Sequence, residues 1–484
     1  MATLDDSLRL LSAVPWFDNL TARDLLALGH GGNEPAAPSS ALDHLRAIER
    51  AGLLLREGRS CRIVEPLRSD LRQALYADDA RTYWQALRVF SRHAENGLNS
   101  DLLSVMGEHG SRLNVEVVRT AANEDDGAAF DRLVDRVRAS DLGRERQDSA
   151  VAAELLESYL FKRDRRVEFL RGLHLWLTDN KAAARNSFEL VLKDHRVDKA
   201  SAISAHLVGV HLYSDGYLSD AEAMLRKAVE QLEAFEDRRG LAMTLTTLGR
   251  LQRDLYREHP KPEILDQAVA TLEEAVAQAR QSMPPDPRLE CQPLVSLAQT
   301  LVLARRFDEA LGEAERAVTL APDGEMGVWS RSILAGMLRE LGRYDEARAV
   351  IEDARMIARR DGVADRSFAR LLNVSAASER RAGDLRTARR FARESMSLGI
   401  RLRDQRHVAH ASHTLASVLL DMALESRTDA ARAAALLSES EGLLLDAQQV
   451  LAEFRNSSGV EMVESTLRRL NEVRRTIGGE SGED

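Results

Sequence analysis

The stretch RHVAHASH carries His407, His410 and His413 at steps of three residues. On a helix those steps keep three imidazoles within about 120° of one face, an arrangement that in principle suits a transition metal. Zinc ligands ordinarily converge from more than one segment, however, and no nearby Cys or His completes a shell, so no metal is expected. The alternatives for His410 and His413 are a ligand-facing surface or a solvated helix. Carboxylates recur in pairs, Asp308 with Glu309, Asp345 with Glu346, and Asp220 with Glu222. Each pair opens a helical stretch, where negative charge complements the helix dipole, and general acid–base work is not expected of them. There is no H-E-x-x-H, no G-x-S-x-G, no Gly-rich dinucleotide turn and no cysteine cluster. Cys61 and Cys291 lie far apart and read as ordinary free thiols. The expectation is a protein without catalytic activity of its own and without a cofactor.

The elements that carry these residues follow from composition and period. A chain of 484 residues exceeds one compact domain and calls for several units or a repeat array. Hydrophobic residues at 44%, charged residues at 30% and aromatics at 5%, with abundant Ala, Leu, Glu and Arg, favour helix over sheet. No run of about 18 uncharged apolar residues occurs, and the start carries Asp5 and Asp6 where a secretory signal would be basic. Cytoplasmic location and no membrane association are therefore expected. A net charge of −10 argues against a protein that coats nucleic acid, although a local basic patch is compatible with it. Arg outnumbers Lys roughly tenfold, for which a GC-rich genome is the ordinary explanation.

A repeat is visible from about residue 166. One helix carries a Leu or Val next to Gly or Ala, a turn follows, and a second helix opens on Ala with a large apolar residue four positions later. SILAGMLRELGRYDEARAVIEDA is one clear copy, around Ala335, Gly342, Tyr344, Ala347, Ile351 and Ala354. LVSLAQTLVLARRFDEALGEAERAVTLAP, around Ala298, Phe307, Ala310, Ala314, Ala317 and Pro322, is another. Weaker copies pass through Gly172, Gly209, Gly249 and Ala376, with a seventh at Leu415 and Ala416. Small residues let paired helices approach closely and admit a neighbour's bulky side chain. The pattern resembles the tetratricopeptide repeat and implies an all-α, TPR-like α-solenoid of about seven helix-turn-helix units; a generic helical hairpin array is the alternative. Equivalent small residues are roughly 37 to 49 apart, longer than the usual period of about 34, so helices or loops are enlarged. EHPKPEI, ending at Ile264, reads as such a loop.

Ahead of the repeats, SSALDHLRAIERAGLLLREGRSCRIVEPL reads as a helix from Ser40 to Arg50, a Gly52 stop and a hairpin turning at Glu57, Gly58 and Arg59. Two further helices precede it, the first broken by Pro15 and the second capped by Asn19 or Thr21. This is a winged-helix-like signature. The expected domains are a head over 1–75, an irregular helical connector over 76–165, the solenoid over 166–475 and a disordered acidic tail over 476–484. Head and repeats together resemble the part of a STAND-type signalling ATPase downstream of its nucleotide-binding domain. In that family the winged helix is a mechanical element and the repeats recognise an inducer or partner. No G-x-x-x-x-G-K-[ST] loop occurs, so the resemblance implies a sensor or adaptor half without its motor, with a separate ATPase or effector subunit as a possible partner.

In a tetratricopeptide superhelix the first helix of each repeat lines the concave groove. Counted from the small residue of each repeat, the lining includes Arg166, Trp176, His206, Tyr213, Thr246, Arg250, Arg253, Gln292, Gln299, Trp329, Ser332, Arg339, Arg370, Asn373, Arg380, His410, His413 and Ser417. Guanidinium groups offer forked donors for carboxylate or phosphate, and Asn373 and Gln299 can fix a peptide backbone. Trp329 fits equally well as packing between repeats. The expected role is a regulatory or adaptor protein that binds an acidic or C-terminal peptide of a protein partner, the head docking or relaying. The alternative is a DNA-binding regulator whose Ser40–Arg50 helix, with Ser40 and His44, enters the major groove while Arg56, Arg59 and Arg62 touch phosphates. Asp43 and Glu49 on that helix disfavour it through phosphate repulsion.

Overall fold

In a computed structural model, residues 4–15, 17, 19–28, 38–57, 60–65, 67–95, 108–122, 127–138, 142–160, 164–282 and 286–479 are described. They form helices almost throughout, in two compact units, 1–207 and 208–484.

The first unit opens with α1 (Leu4–Ser12), α2 (Asn19–Leu28) and α3 (Pro38–Arg50), then a hairpin of β1 (Leu54–Glu57) and β2 (Ser60–Ile63). Gly52 has φ +72°, a left-handed conformation that stops α3 and turns the chain into the hairpin. The strands are antiparallel with Leu54 opposite Ile63 and Glu57 opposite Ser60. Alternation buries Leu54, Cys61 and Ile63 and leaves Leu55 outside. Phe17 adds a third extended segment by exchanging two backbone hydrogen bonds with Cys61, at 2.9 and 2.8 Å. The tip expected at Gly58 and Arg59 lies outside the described residues. So does the acidic turn 123–126. Asn19 is itself helical.

The same unit continues through α4 (Leu67–Asp78), α5 (Ala80–Glu95), α6 (Glu108–Ala122), α7 (Gly127–Arg138) and α8 (Leu142–Leu160). Arg68 ties the head to this layer, donating to the Val14 carbonyl and to the Tyr159 hydroxyl, both at 3.1 Å. The Tyr83 hydroxyl donates to the Tyr159 carbonyl at 2.8 Å. A first repeat-like pair, α9 (Arg165–Leu177) and α10 (Lys181–Leu192), joins this unit through the edge-to-face contact of Phe130 with Phe169. Arg166 is buried there, held by Asp164 at 2.9 Å and the Thr120 carbonyl at 3.0 Å.

The second unit begins within α11 (Lys199–Ser214), which pairs with α12 (Leu218–Ala234). Four hairpins follow: α13 (Arg238–Glu258) with α14 (Pro262–Gln281), α15 (Pro287–Leu303) with α16 (Phe307–Leu320), α17 (Gly324–Glu340) with α18 (Tyr344–Asp361), and α19 (Arg366–Arg381) with α20 (Leu385–Arg401). The pair α21 (Gln405–Glu425) and α22 (Ala430–Glu453), with the final α23 (Ser457–Gly479), ends the array. Helices α13, α15, α17, α19, α21 and α23 each touch the next, forming one layer, and the first five each pack against their own hairpin partner. This is the solenoid the repeat pattern implies. Residues 476–479, expected to begin a disordered tail, are helical, and 480–484 lie outside the described residues.

The expected EHPKPEI loop shrinks to residues 259–261. Glu258 still belongs to α13 and Pro262 already opens α14, Pro at the first helical turn being well suited to start a helix. The added length sits in helices of 21 and 20 residues instead. Asp caps recur at the starts: Asp237, Asp286, Asp365, Asp384, Asp404 and Asp429 each accept a backbone N–H. Asp308 with Glu309 and Asp345 with Glu346 lie in first turns, and Glu309 and Glu346 are paired at 2.6 Å to Arg306 and Arg343 just before their helices.

The array also meets itself. The Arg406 guanidinium donates to the Ser214 carbonyl at 2.5 Å, and the Ser457 hydroxyl bonds Glu258. Arg455 lies 4.3 Å from the centre of the Tyr217 ring, so the turn between α22 and α23 sits on the turn between α11 and α12.

Close approach sets the tolerance to substitution. A Cβ on Gly209 would lie 2.8 Å from Leu225 Cγ, and Ala347 is fully buried. Gly209→Leu is expected to cost about 1–3 kcal/mol by overpacking, and Ala347→Asp more than about 3 kcal/mol by burying charge. Urea unfolding followed by circular dichroism measures both, and a wild-type midpoint for Ala347→Asp contradicts its placement.

Candidate functional site

Side chains expected along the groove fall into two groups once their partners are known. Many are held by other side chains. Arg253 is buried, donating to Gln299 Oε1 at 2.8 Å and lying 3.4 Å from Asp254. Asp254 also accepts from Tyr213 at 2.5 Å and from Arg257 at 2.9 Å. Burial alone raises an aspartate pKa, but Arg253, the Tyr213 hydroxyl and Arg257 outweigh it and hold Asp254 below its ordinary value. Burial, seconded by Asp254, pushes the Tyr213 phenol up to about 12. The result is a strut across α11, α13 and α15. Arg339 pairs with its neighbour Glu340 at 2.6 Å, and Arg380 with Asp421 at 3.0 Å, where Arg469 joins. Ser332 is buried and donates to the Trp329 carbonyl. Ser417 is buried too.

The other group lines a cavity of about 260 Å³ between α13, α15, α17 and α19. Thr246 and Arg250 come from α13, Gln292 and Ser296 from α15, Glu325, Met326 and Trp329 from α17, and Ser367 and Arg370 from α19. Repeat geometry therefore brings together Arg250, one residue after Gly249, and Trp329 and Arg370, six before Ala335 and Ala376, offsets that share a helix face. Glu325 and Ser367, which hydrogen-bond at 3.1 Å, were not in that count. They stand one helical turn earlier than the positions counted, so extending the same spacing by a turn finds them. Burial, the adjacent Arg250 and Arg366 together hold the Arg370 guanidinium below its usual pKa, against the pull of Asp404 and Glu325. Burial, then Asp365, raises the Glu325 carboxyl. The buried Asn373 Oδ1, three residues beyond Arg370, accepts no hydrogen bond among the described residues.

The histidine run divides. His407 is buried, its Nε2 2.9 Å from Ser395 Oγ on α20, while His413 Nε2 lies 2.9 Å from Thr466 Oγ1 on α23. His410 is held down to about 4 by burial first and then by His413, His407, Arg406 and Arg370. Burial and then Arg380 bring His413 to about 4. Among the described residues no group of three or more His, Cys, Asp or Glu is placed to hold a metal ion.

In the first unit His206 is buried and Trp176 stands 5.4 Å from the Lys181 ammonium. The head's proposed DNA contacts are also engaged: His44 Nδ1 is 2.9 Å from Ser7 Oγ, and Arg56 pairs with Glu49 at 3.1 Å. Arg62 is half-buried; Arg59 and the Ser40 side chain lie outside the described residues. Cys61 and Cys291 are free thiols, both buried. No described helix is long and apolar enough to cross a membrane.

No protein-family model matches the sequence, and no curated protein matches it. Solved structures do. A signal transduction ATPase with numerous domains (STAND) from Pyrococcus horikoshii, with a tetratricopeptide repeat sensor, aligns at a TM-score of 0.51 and 14% identity, over 96% of this chain and 66% of that one. A Rap protein complexed with competence and sporulation factor aligns at a TM-score of 0.43 and 14% identity, over 85% of this chain and 96% of that one. The fold is a tetratricopeptide-type solenoid. The likeness to the STAND protein is one of fold.

The half-buried imidazoles of His410 and His413 make stability pH-dependent. A histidine held at about 4 in the folded state and near 6.5 when unfolded binds more protons unfolded, so its contribution is full above about pH 6.5 and is lost as pH falls towards 4. The urea midpoint is expected to fall between pH 6.5 and 5, before most carboxylates titrate, and His410→Gln to flatten that slope. An unchanged slope in the variant removes His410 from the account.

Proposed function

We propose that this chain is a non-enzymatic regulator or adaptor whose repeat groove binds an acidic or carboxylate-ended peptide of a protein partner. The observation that carries this is the shared cavity of Arg250, Gln292, Trp329 and Arg370, in which cationic, amide and aromatic groups from four successive repeats face one space. Guanidinium forks recognise carboxylates in two-point geometry, an amide satisfies a peptide group, and an indole covers an apolar side chain. The Pyrococcus protein's repeats are a sensor, and we carry that role over, with a separate ATPase or effector subunit as a candidate partner. The head serves as docking or relay element. Its engaged His44 and Arg56 support that role over DNA contact, since an arginine paired to Glu49 on the would-be recognition helix is already neutralised.

Affinity capture from source lysate compares the wild type with an Arg250→Glu, Arg370→Glu double variant in the cavity and with a variant lacking residues 1–63. Loss of one defined protein with the groove variant alone is expected. Loss only with the head deletion moves the binding site to the head and defeats the groove assignment.

A further inference from the structure

Helices α20 and α22 are tied together at one level and leave a space at another. Arg389 and Arg393 of α20 both reach Glu439 of α22, at 3.2 and 2.7 Å. About two helical turns further along, a cleft of about 610 Å³ opens between the last turns of α20 and α22 and the first turn of α21. It shares no residue with the cavity of Arg250 and Arg370. Gly399 lets α21 begin close against α20, since a Cβ there would lie 3.0 Å from both His407 Cδ2 and Val408 Cγ2. Ile400 beside it is 59% exposed and forms an apolar wall with Val408 and Val450, both half-buried. Moving such aliphatic surface out of water is favourable, and the volume falls within the roughly 300–1,000 Å³ typical of ligand pockets.

We infer that this cleft is a docking site for a short segment of a partner protein that presents an aliphatic side chain next to a single lysine or arginine. Charge names the occupant. The lining sets Asp404, Asp446 and Glu453 against Arg403. Asp404 is already engaged, accepting the His407 N–H at 3.0 Å and pairing with Arg366 at 3.1 Å. Asp446 and Glu453 are exposed and have no ion pair among the described residues, so with Arg403 they leave one net negative charge, which one cation balances. The Gln449 amide donates to Glu453 at 3.2 Å and holds that carboxylate at the rim. The C-terminal ends of α20 and α22 both border the cleft, and the helix dipole adds partial negative charge there. A wholly polar occupant would leave Ile400, Val408 and Val450 in water, and an anionic one would meet the two carboxylates. Leu445, one turn before Gln449 on α22 and 52% exposed, extends the apolar margin. The cleft gives the chain a second binding face, beyond the groove reading and independent of it.

The test needs no partner. The full chain, isotope-labelled at its isoleucine methyls, is titrated with acetyl-Leu-Lys-Leu-amide and followed by NMR, the Ile400 signal being assigned with Ile400→Val. That signal is expected to move and to saturate with a Kd on the order of 1 mM, while Ile351 and Ile357, buried on α18, stay in place. Acetyl-Leu-Glu-Leu-amide, which reverses the charge, and acetyl-Gly-Lys-Gly-amide, which removes the aliphatic groups, are each expected to bind at least about tenfold more weakly. Asp446→Lys combined with Glu453→Lys, both on exposed positions, abolishes the preference for the basic peptide over the acidic one. The Arg250→Glu, Arg370→Glu variant of the groove leaves the titration unchanged. An Ile400 signal that stays fixed well above that concentration overturns the site. An equal response to the acidic or the glycine peptide, or an undiminished preference in the Lys double variant, overturns the assignment of its occupant. Either failure leaves the groove reading standing, since loss of the captured protein in the groove variant does not involve this cleft.

Discussion

Each repeat depends on one crossing where a helix carries no side chain, or a methyl alone, against its partner, as at Gly209 against Leu225 and Gly249 against Leu272. At Gly249 a Cβ would stand 2.5 Å from Leu272 Cγ, and at Ala298, Ala335, Ala376 and Ala416 the methyl is completely buried. Close packing makes that crossing intolerant of extra volume, and it fixes the angle between the two helices of a hairpin. Because equivalent crossings recur along the array, residues at equivalent offsets turn towards the same face. The cavity formed by α13, α15, α17 and α19 is the product of that repetition and of no individual helix.

The same regularity explains what could be read from residues alone. Small residues at roughly constant intervals located every hairpin of the second unit, and their offsets placed Arg250, Trp329 and Arg370 on one surface. Helix boundaries near Pro262 were misjudged because His-Pro and Lys-Pro look like turn chemistry, yet a proline in the first turn starts a helix as readily as it ends one. Pairing was illegible for a different reason. Arg380 finds Asp421 across 41 positions and Arg253 finds Gln299 across 46, so a list of cations on a face says nothing of which ones the protein neutralises. His407 shows the same limit: its step of three from His410 is visible, whereas its bond to Ser395 on the preceding helix is set by the supercoil.

Electrostatics in the groove thus divides into structural and unsatisfied parts. The Tyr213–Asp254–Arg253–Gln299 strut links three successive repeats through hydrogen bonds, and the fixed geometry of a guanidinium fork makes such a link sensitive to any rotation between them. The neighbouring arginines carry their charge into open space. Matched charge thus stands beside Arg250 and Arg370, which have no ion pair among the described residues.

A linear stack of repeats behaves as a one-dimensional lattice: its terminal units have one neighbour each, and they fray first. The bond from Arg406 to Ser214, the contact of Arg455 with Tyr217 and the bond from Ser457 to Glu258 give the terminal repeats of the second unit a second neighbour. The lattice acquires a periodic boundary. In such a system the loss of one interior interface leaves the two sides still joined the other way round, so local opening at a single repeat no longer separates the array into independent halves. Cooperativity then belongs to the closed set of repeats as a whole, and its weakest bond is the one made by polar turns.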